Sequence, residues 1–417
     1  MDRLVVRPGG PLSGNVRVSG AKNSVLKLLA ATLLAEGDFV LHNVPHISDV
    51  EIMCDLLVSM GVDTHRSGND LSVHRGAKVV PEAPYELVEC MRASIVVLGP
   101  LLAREGRARV SMPGGDNFGT RPIDMHLRGL AAMGAELDVH HGYVEATAHR
   151  LLGARIVLEF PSHTATDNLL MAAVLAKGTT IIENAAREPE IADLAAMLNR
   201  MGARIVGAGT STVEIEGVDE LRPVEHTVIP DRIEAATWVA AVGIAGGEVT
   251  VEGARPDHMD MVIQKMGSMG VRVSPSGTGL WASSAARLSA VDVATLPYPG
   301  IATDYKPLLV TMLALADGVA IVTENVFRDN RFAYVAELVR MGADIRTEGH
   351  HAVVRGVPRL SGAKVKAHDL RAGVALVLAG LAAEGETEVQ DVAHIERGYE
   401  DFTGKLRSLG ADVERLR

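Results

Sequence analysis

The chain has 417 residues, 47% of them hydrophobic and 22% charged, with a net charge of -11. That length allows two or three domains, the apolar content excludes global disorder, and the acidic balance excludes a generally basic nucleic-acid-binding surface. No apolar run, AGVALVLAGLAA included, is long enough to span a membrane, and MDRLVVRPGG is too poor in apolar residues for a signal peptide. The expectation is a soluble cytoplasmic protein.

The first 21 residues contain strand-like sequence, LVVRPGGPLSGNVRVSG, that could pair with either half of the chain. An apolar helix follows, NSVLKLLAATLLAEG, and Gly37 stops it. Next come a strand, DFVLHNV, a helix with a spaced apolar face, VEIMCDLLVSMG, and another strand, LSVHR. This order returns along the chain. A Met/Leu-Gly-Ala/Val tag recurs at Gly61, Gly134, Gly202, Gly270, Gly342 and Gly410. A helix-ending glycine recurs in phase with it at Gly37, Gly106, Gly178, Gly247, Gly318 and Gly385. Both tags repeat about every 70 residues. Solenoid units are shorter, so six large units point to an α/β protein with two compact halves of three. The boundary is expected near Val228-Ile229-Pro230. Cys54 and Cys90 lie in apolar, helix-like runs and read as buried free thiols, with no disulfide framework.

The helix starts carry charge. Lys22, Arg92, Ser162 with Thr164, Arg232, Asp304 and Arg371 open the first helices of the six units, and Arg121, Arg187, Arg331 and Arg397 open second helices. A cation at a helix N-terminus opposes the macrodipole. Its repetition points to an anionic ligand held by N-terminal amides and basic side chains together, in a cleft between the halves. Neither a P-loop nor a G-x-G-x-x-G after a strand is present, and no Cys/His cluster has zinc spacing. His140-His141 and His350-His351 read as surface pairs. No metal or other cofactor is expected.

The segments GAKNS, MRASIVV, PGGDNFGTRPIDMH, TDYKP, ENVF, DLRAG and HIERGYE resemble the enolpyruvyl transferases, and the similarity runs over essentially the whole chain. The resemblance implies a two-domain inside-out α/β barrel of six repeats, with residues 22–229 in one domain, residues 1–21 and 230–417 in the other, and the active site in the interdomain cleft. It implies transfer of the enolpyruvyl group of phosphoenolpyruvate to a hydroxyl of a uridine nucleotide, the 3-OH of UDP-N-acetylglucosamine being the leading acceptor, with release of phosphate. The expected partners are those two small molecules, not nucleic acid or membrane. Lys22, Arg121 and Arg397 would grip the donor, with Arg92, Arg331 and Arg371 nearby. Arg121, Pro122, Ile123, Asp124 and Met125, together with Phe160, Pro161, Ser162 and His163, would line the nucleotide. Asn23, Asp304 and the backbone of Val326 would address the sugar. Asp116 would be the proton donor, in a loop position that is cysteine in many members, and Asp304 the base. A loop aspartate is ordinarily a turn former, and Asp304 could equally be an N-cap.

Two departures bear on the acceptor. Ser162-His163-Thr164-Ala165-Thr166 stands where the family usually has Ser-Val-Gly-Ala-Thr, and ENVFRDNRF is one residue longer than usual between Phe327 and Arg331. A paralogue acting on UMP or another uridylate in nucleoside-antibiotic synthesis is therefore an alternative, and a non-catalytic nucleotide-binding paralogue a second.

Overall fold

The computed structural model describes residues 2–89, 91–112, 123–327 and 331–416. The described chain divides into two compact units. One holds the described residues between 20 and 229; the other holds those up to Ser19 together with those from Pro230 onward. Each has its own apolar core.

In the first unit, three four-stranded sheets share one pairing pattern. Glu225–Thr227 runs parallel to Gly37–His42, which pairs antiparallel with Asp70–Arg75 and through it with Val62–Ser67. Glu82–Ala83, Arg107–Ser111, Tyr143–Thr147 and Glu136–His140 repeat that order, as do Arg155–Val157, Thr179–Glu183, Thr212–Glu216 and Arg204–Val206. Alternating burial along the strands, as in Asp70–Arg75, turns one face of each sheet to the core.

The second unit repeats the arrangement, and the N-terminal segment completes two of its sheets. Leu12–Arg17 lies parallel to Gly247–Glu252. Arg3–Arg7 lies between Thr387–Gln390 and Asp412–Leu416, antiparallel to both. The helices Arg232–Ala245, Lys306–Leu315 and Leu370–Leu381 pack on one another, and every residue of the last is buried. A helix apolar on all sides has no solvent face, which is why these three carry almost no charge beyond their first turns. Their charged N-terminal turns gather around Asp304: Arg371 bonds it, and Arg232 bonds the neighbouring Tyr305.

Several expected helix starts shift. Arg92 opens a 3-10 segment, Arg92–Val97, before the α-helix Leu98–Glu105. Arg331 precedes its helix, Val335–Arg340, by one turn. Arg397 is not at a helix N-terminus: it caps the C-terminus of Ala393–Glu396, where the macrodipole favours a cation. The next helix, Phe402–Ser408, has its own cap in Asp401, which accepts from the Gly404 N–H at 3.2 Å. Cys54 is only part-buried, and burial pushes its thiol up to about 11. Cys90 lies outside the described residues.

Candidate active site

The second unit gathers one acidic and several basic groups at the buried helix starts. Asp304 lies in the turn Thr303–Tyr305, and its Oδ1 accepts from Arg371 Nε at 3.2 Å. Enclosure by protein would raise the Asp304 carboxyl, but Arg371, Arg331 and Arg232 outweigh it and hold the group down at about 2. The N-cap reading of Asp304 fails, because Tyr305 is the N-cap of Lys306–Leu315 and no side chain caps it. Arg232 donates to Tyr305 Oη at 3.2 Å, and Arg331 stacks over the Phe327 ring at 4.2 Å from its centroid.

The cations at these helix starts are offset within the chain. Asp231 caps Arg232–Ala245 by accepting from Ile233 and Glu234 N–H at 2.7 and 3.0 Å. Asp369 caps Leu370–Leu381 by accepting from Arg371 and Ala372 N–H, both at 2.8 Å. A bound anion is therefore not the sole compensation for Arg232 and Arg371. Sequence reading missed both caps, although an aspartate directly before an apolar helix, as in PDRIEAA and HDLRAGV, is the ordinary signal.

In the first unit, Lys22 is the first residue of the helix Lys22–Ala31, and its Nζ meets Asp49 Oδ2 at 2.7 Å. The pair is mostly desolvated, with side-chain exposures of 11% and 2%. Asn23 follows, and its carbonyl accepts from Lys27 Nζ. Ser162 caps His163–Ala173 through the Ala165 N–H at 3.4 Å. His163 Nε2 lies 3.6 Å from Asp167 Oδ2, and Lys27 Nζ lies 3.8 Å from the same oxygen. Thr164 Oγ1 is 3.3 Å from His126 Nε2, and His126 Nδ1 is 3.0 Å from Asn168 Nδ2. The threonine in place of the usual glycine is thus tied to the helix Asp124–Ala132, whose N-cap is Ile123. Asp124 and Met125 form its first turn, and Phe160 and Pro161 lie part-buried beside Ser162.

A family model described as EPSP synthase (3-phosphoshikimate 1-carboxyvinyltransferase) matches residues 6–406. The chain belongs to this family of enolpyruvyl transferases. Two relatives named UDP-N-acetylglucosamine 1-carboxyvinyltransferase are close to it over their whole length. The protein of Myxococcus xanthus is 50% identical, over 100% of this chain and 99% of its own, and that of Anaeromyxobacter sp. is 52% identical with the same coverage. The crystal structure of the enolpyruvyl transferase NikO from Streptomyces tendae superposes with a TM-score of 0.90 at 28% identity, covering 100% of this chain and 99% of that one.

For this enolpyruvyl transferase, the structure brings Asp304, Arg331 and Arg371 together in the second unit, with Val326 next to Phe327, on whose ring Arg331 stacks. It adds Arg232 to them. Asp116, Arg121 and Pro122 lie outside the described residues, as does the side chain of Arg92. The N–H of Val326 donates to Glu324 Oε1 at 2.9 Å, which makes the carbonyl the group through which Val326 would address a sugar. Among the described residues, no group of three or more His, Cys, Asp and Glu is placed to hold a metal, and no helix is long and apolar enough to cross a membrane.

Proposed function

We propose that this enzyme transfers the enolpyruvyl group of phosphoenolpyruvate to the 3-OH of UDP-N-acetylglucosamine and releases phosphate, an early step of peptidoglycan precursor synthesis. The observation that carries the acceptor assignment is the identity of 50–52% with enzymes of that name over the full chain. On this reading the fold is a pair of inside-out α/β barrels, three repeats each, with residues 1–21 and 230–417 forming one and 22–229 the other. The six sheets of one pairing pattern support it.

Lys22, Arg121 and Arg397 bind the donor, whose phosphate and carboxylate suit guanidinium forks and an ammonium, and Arg92, Arg331 and Arg371 complete the cationic field. Asp116 protonates the donor's methylene carbon, so that the adjacent carbon becomes electrophilic. The acceptor hydroxyl attacks that carbon and gives its proton to Asp304. A methyl proton of the resulting ketal returns to the Asp116 carboxylate, and phosphate departs with the proton held by Asp304, which completes the transfer. Asn23, Asp304 and the Val326 carbonyl hold the sugar, while Arg121 to Met125 and Phe160 to His163 hold the uridine nucleotide.

The test is phosphate release from phosphoenolpyruvate with UDP-N-acetylglucosamine and, separately, with UMP. Turnover of the UDP-sugar and none of UMP is expected. Turnover of UMP alone would move the enzyme to the uridylate paralogues.

A further inference from the structure

Glu324 follows the strand Val319–Thr323 and is 3% exposed. Its carboxylate joins three separate segments. Oε2 accepts from Thr303 Oγ1 at 2.7 Å and meets Lys306 Nζ at 2.7 Å. Oε1 accepts from Thr295 Oγ1 at 2.7 Å and from the N–H groups of Val326 and Phe327 at 2.9 and 3.2 Å. Thr295 Oγ1 in turn accepts from the Asn325 N–H at 3.0 Å, which closes the network.

The arrangement is directional. Thr303 and Lys306 flank Asp304 in sequence, and one oxygen of Glu324 restrains both. The other oxygen restrains the turn that carries Val326. Four hydrogen-bond donors and one ammonium around one buried carboxylate, all within 3.2 Å, fix its position more tightly than a surface pair could. The charge is balanced by Lys306, whose ammonium also lies 4.0 Å from the Phe332 ring centroid.

We propose that Glu324 is a positioning residue that holds the base-bearing turn at Asp304 and the acceptor-facing turn at Val326 in one register. It touches neither substrate. The proposal rests on the reading that Asp304 and Val326 address the acceptor. Loss of the register separates base from hydroxyl, and a misplacement of about 1 Å can lower turnover by roughly a hundredfold. The donor's grip is assigned chiefly to Lys22, Arg121 and Arg397, which lie on other segments.

The test uses the full chain with Glu324→Gln, Glu324→Asp and the double variant Glu324→Gln/Lys306→Met. Glu324→Gln removes the charge. Glu324→Asp keeps it, but is one methylene too short to reach both turns. The double variant removes both charges, so that no lone ammonium is left buried. In all three, phosphoenolpyruvate affinity by calorimetry is expected within about twofold of wild type, with kcat lowered roughly ten- to a hundredfold and acceptor KM raised. Should Glu324→Gln fail to fold, the double variant carries the test.

Native acceptor KM and kcat in any folded variant would overturn the proposal. So would equal losses for donor and acceptor, or full recovery in Glu324→Asp, because either outcome is what general destabilisation or simple charge balance produces. A wild-type enzyme inactive toward the UDP-sugar overturns the functional reading and this proposal together. An active wild type with native-like variants overturns the proposal alone.

Discussion

Asp304 and Asp167 are carboxyls set in opposite electrostatic surroundings, and the difference decides what each can do. Asp304 faces Arg371, Arg331 and Arg232 and stays ionised at any working pH. A carboxylate held at about 2 is a weak base in the free enzyme. A donor anion bound among the same arginines would weaken their field at Asp304 and raise its proton affinity when the acceptor must lose a proton. Asp304→Asn should therefore separate binding from chemistry. Removal of the internal anion leaves the arginines more attractive to phosphoenolpyruvate, so calorimetry should give equal or tighter donor binding. Phosphate release should fall by about 10²–10⁴-fold, the usual contribution of a general base. Weaker donor binding in this variant would mean that Asp304 organises the arginines rather than opposing the donor.

Asp167 is the reverse case. Burial raises its carboxyl to about 8 against the opposing pull of Lys27, and Glu188 and Glu190 add to the rise. Among the described residues neither oxygen accepts a hydrogen bond of normal length, and Lys27 and His163 come no closer to Oδ2 than 3.8 and 3.6 Å. The folded state therefore binds a proton more tightly than the unfolded chain does. The stability this contributes is fully present below about pH 4 and is lost as pH rises through about 8. Asp167→Asn should abolish that slope. In thermal melts the variant should gain on wild type between pH 6 and pH 9 and be more stable at the upper end by about 1–3 kcal/mol, the usual penalty for a buried, unsatisfied polar group. A constant difference across that range would show that Asp167 does not titrate there.

At the scale of elements, two of the three buried helices, Arg232–Ala245 and Leu370–Leu381, are capped at their first turns by aspartates. Asp231→Ala leaves the Ile233 and Glu234 N–H groups without their acceptor inside the protein, and should lower stability by about 0.5–2 kcal/mol in chemical denaturation, with the larger value expected where water cannot replace the cap. An Asp231→Asn variant retains an acceptor oxygen and should recover most of the loss. The element order was readable from the sequence, because apolar periodicity and helix-ending glycines report local backbone preference. Gly106, Gly202 and Gly270 do cap helices in the left-handed conformation. The place of Arg397 at a helix C-terminus was not readable: RGYE follows a short helix in a stretch with little periodicity, and only the placement of Asp401 shows that the next helix starts five residues after Arg397. Glu324 was equally hidden. Its partners Thr295, Thr303 and Lys306 lie 18 to 29 residues away, and the ladder that brings them together depends on strand register, which a one-residue slip would undo. The residues proposed to bind the donor could be listed from motifs, whereas the network around Glu324 required the fold.

For the whole molecule, the described residues of one unit all fall between 20 and 229, whereas those of the other come from both ends of the chain. Residues 20–229 contain a complete set of three sheets and a separate core, and should fold as an isolated fragment with a cooperative melt. Residues 230–417 alone should not fold. They lack Arg3–Arg7, which fills the gap between Thr387–Gln390 and Asp412–Leu416, and Leu12–Arg17, which covers the edge of Gly247–Glu252. They also lack Ser19, whose N–H donates to buried Glu234 at 2.9 Å and whose Oγ accepts from Lys405 at 2.8 Å. The geometry offers a remedy. Arg3 pairs with Leu416, so the two chain ends are neighbours in one sheet. A permuted fragment that joins residue 417 to residue 1 through a short glycine-rich linker and ends at Ser19 regains both strands at the cost of closing one short loop, a modest entropy. It should be soluble and show a cooperative melt, whereas the unlinked 230–417 fragment should aggregate or remain unstructured by circular dichroism. If 230–417 alone melts cooperatively, the N-terminal strands are an accessory to this unit and not part of its core.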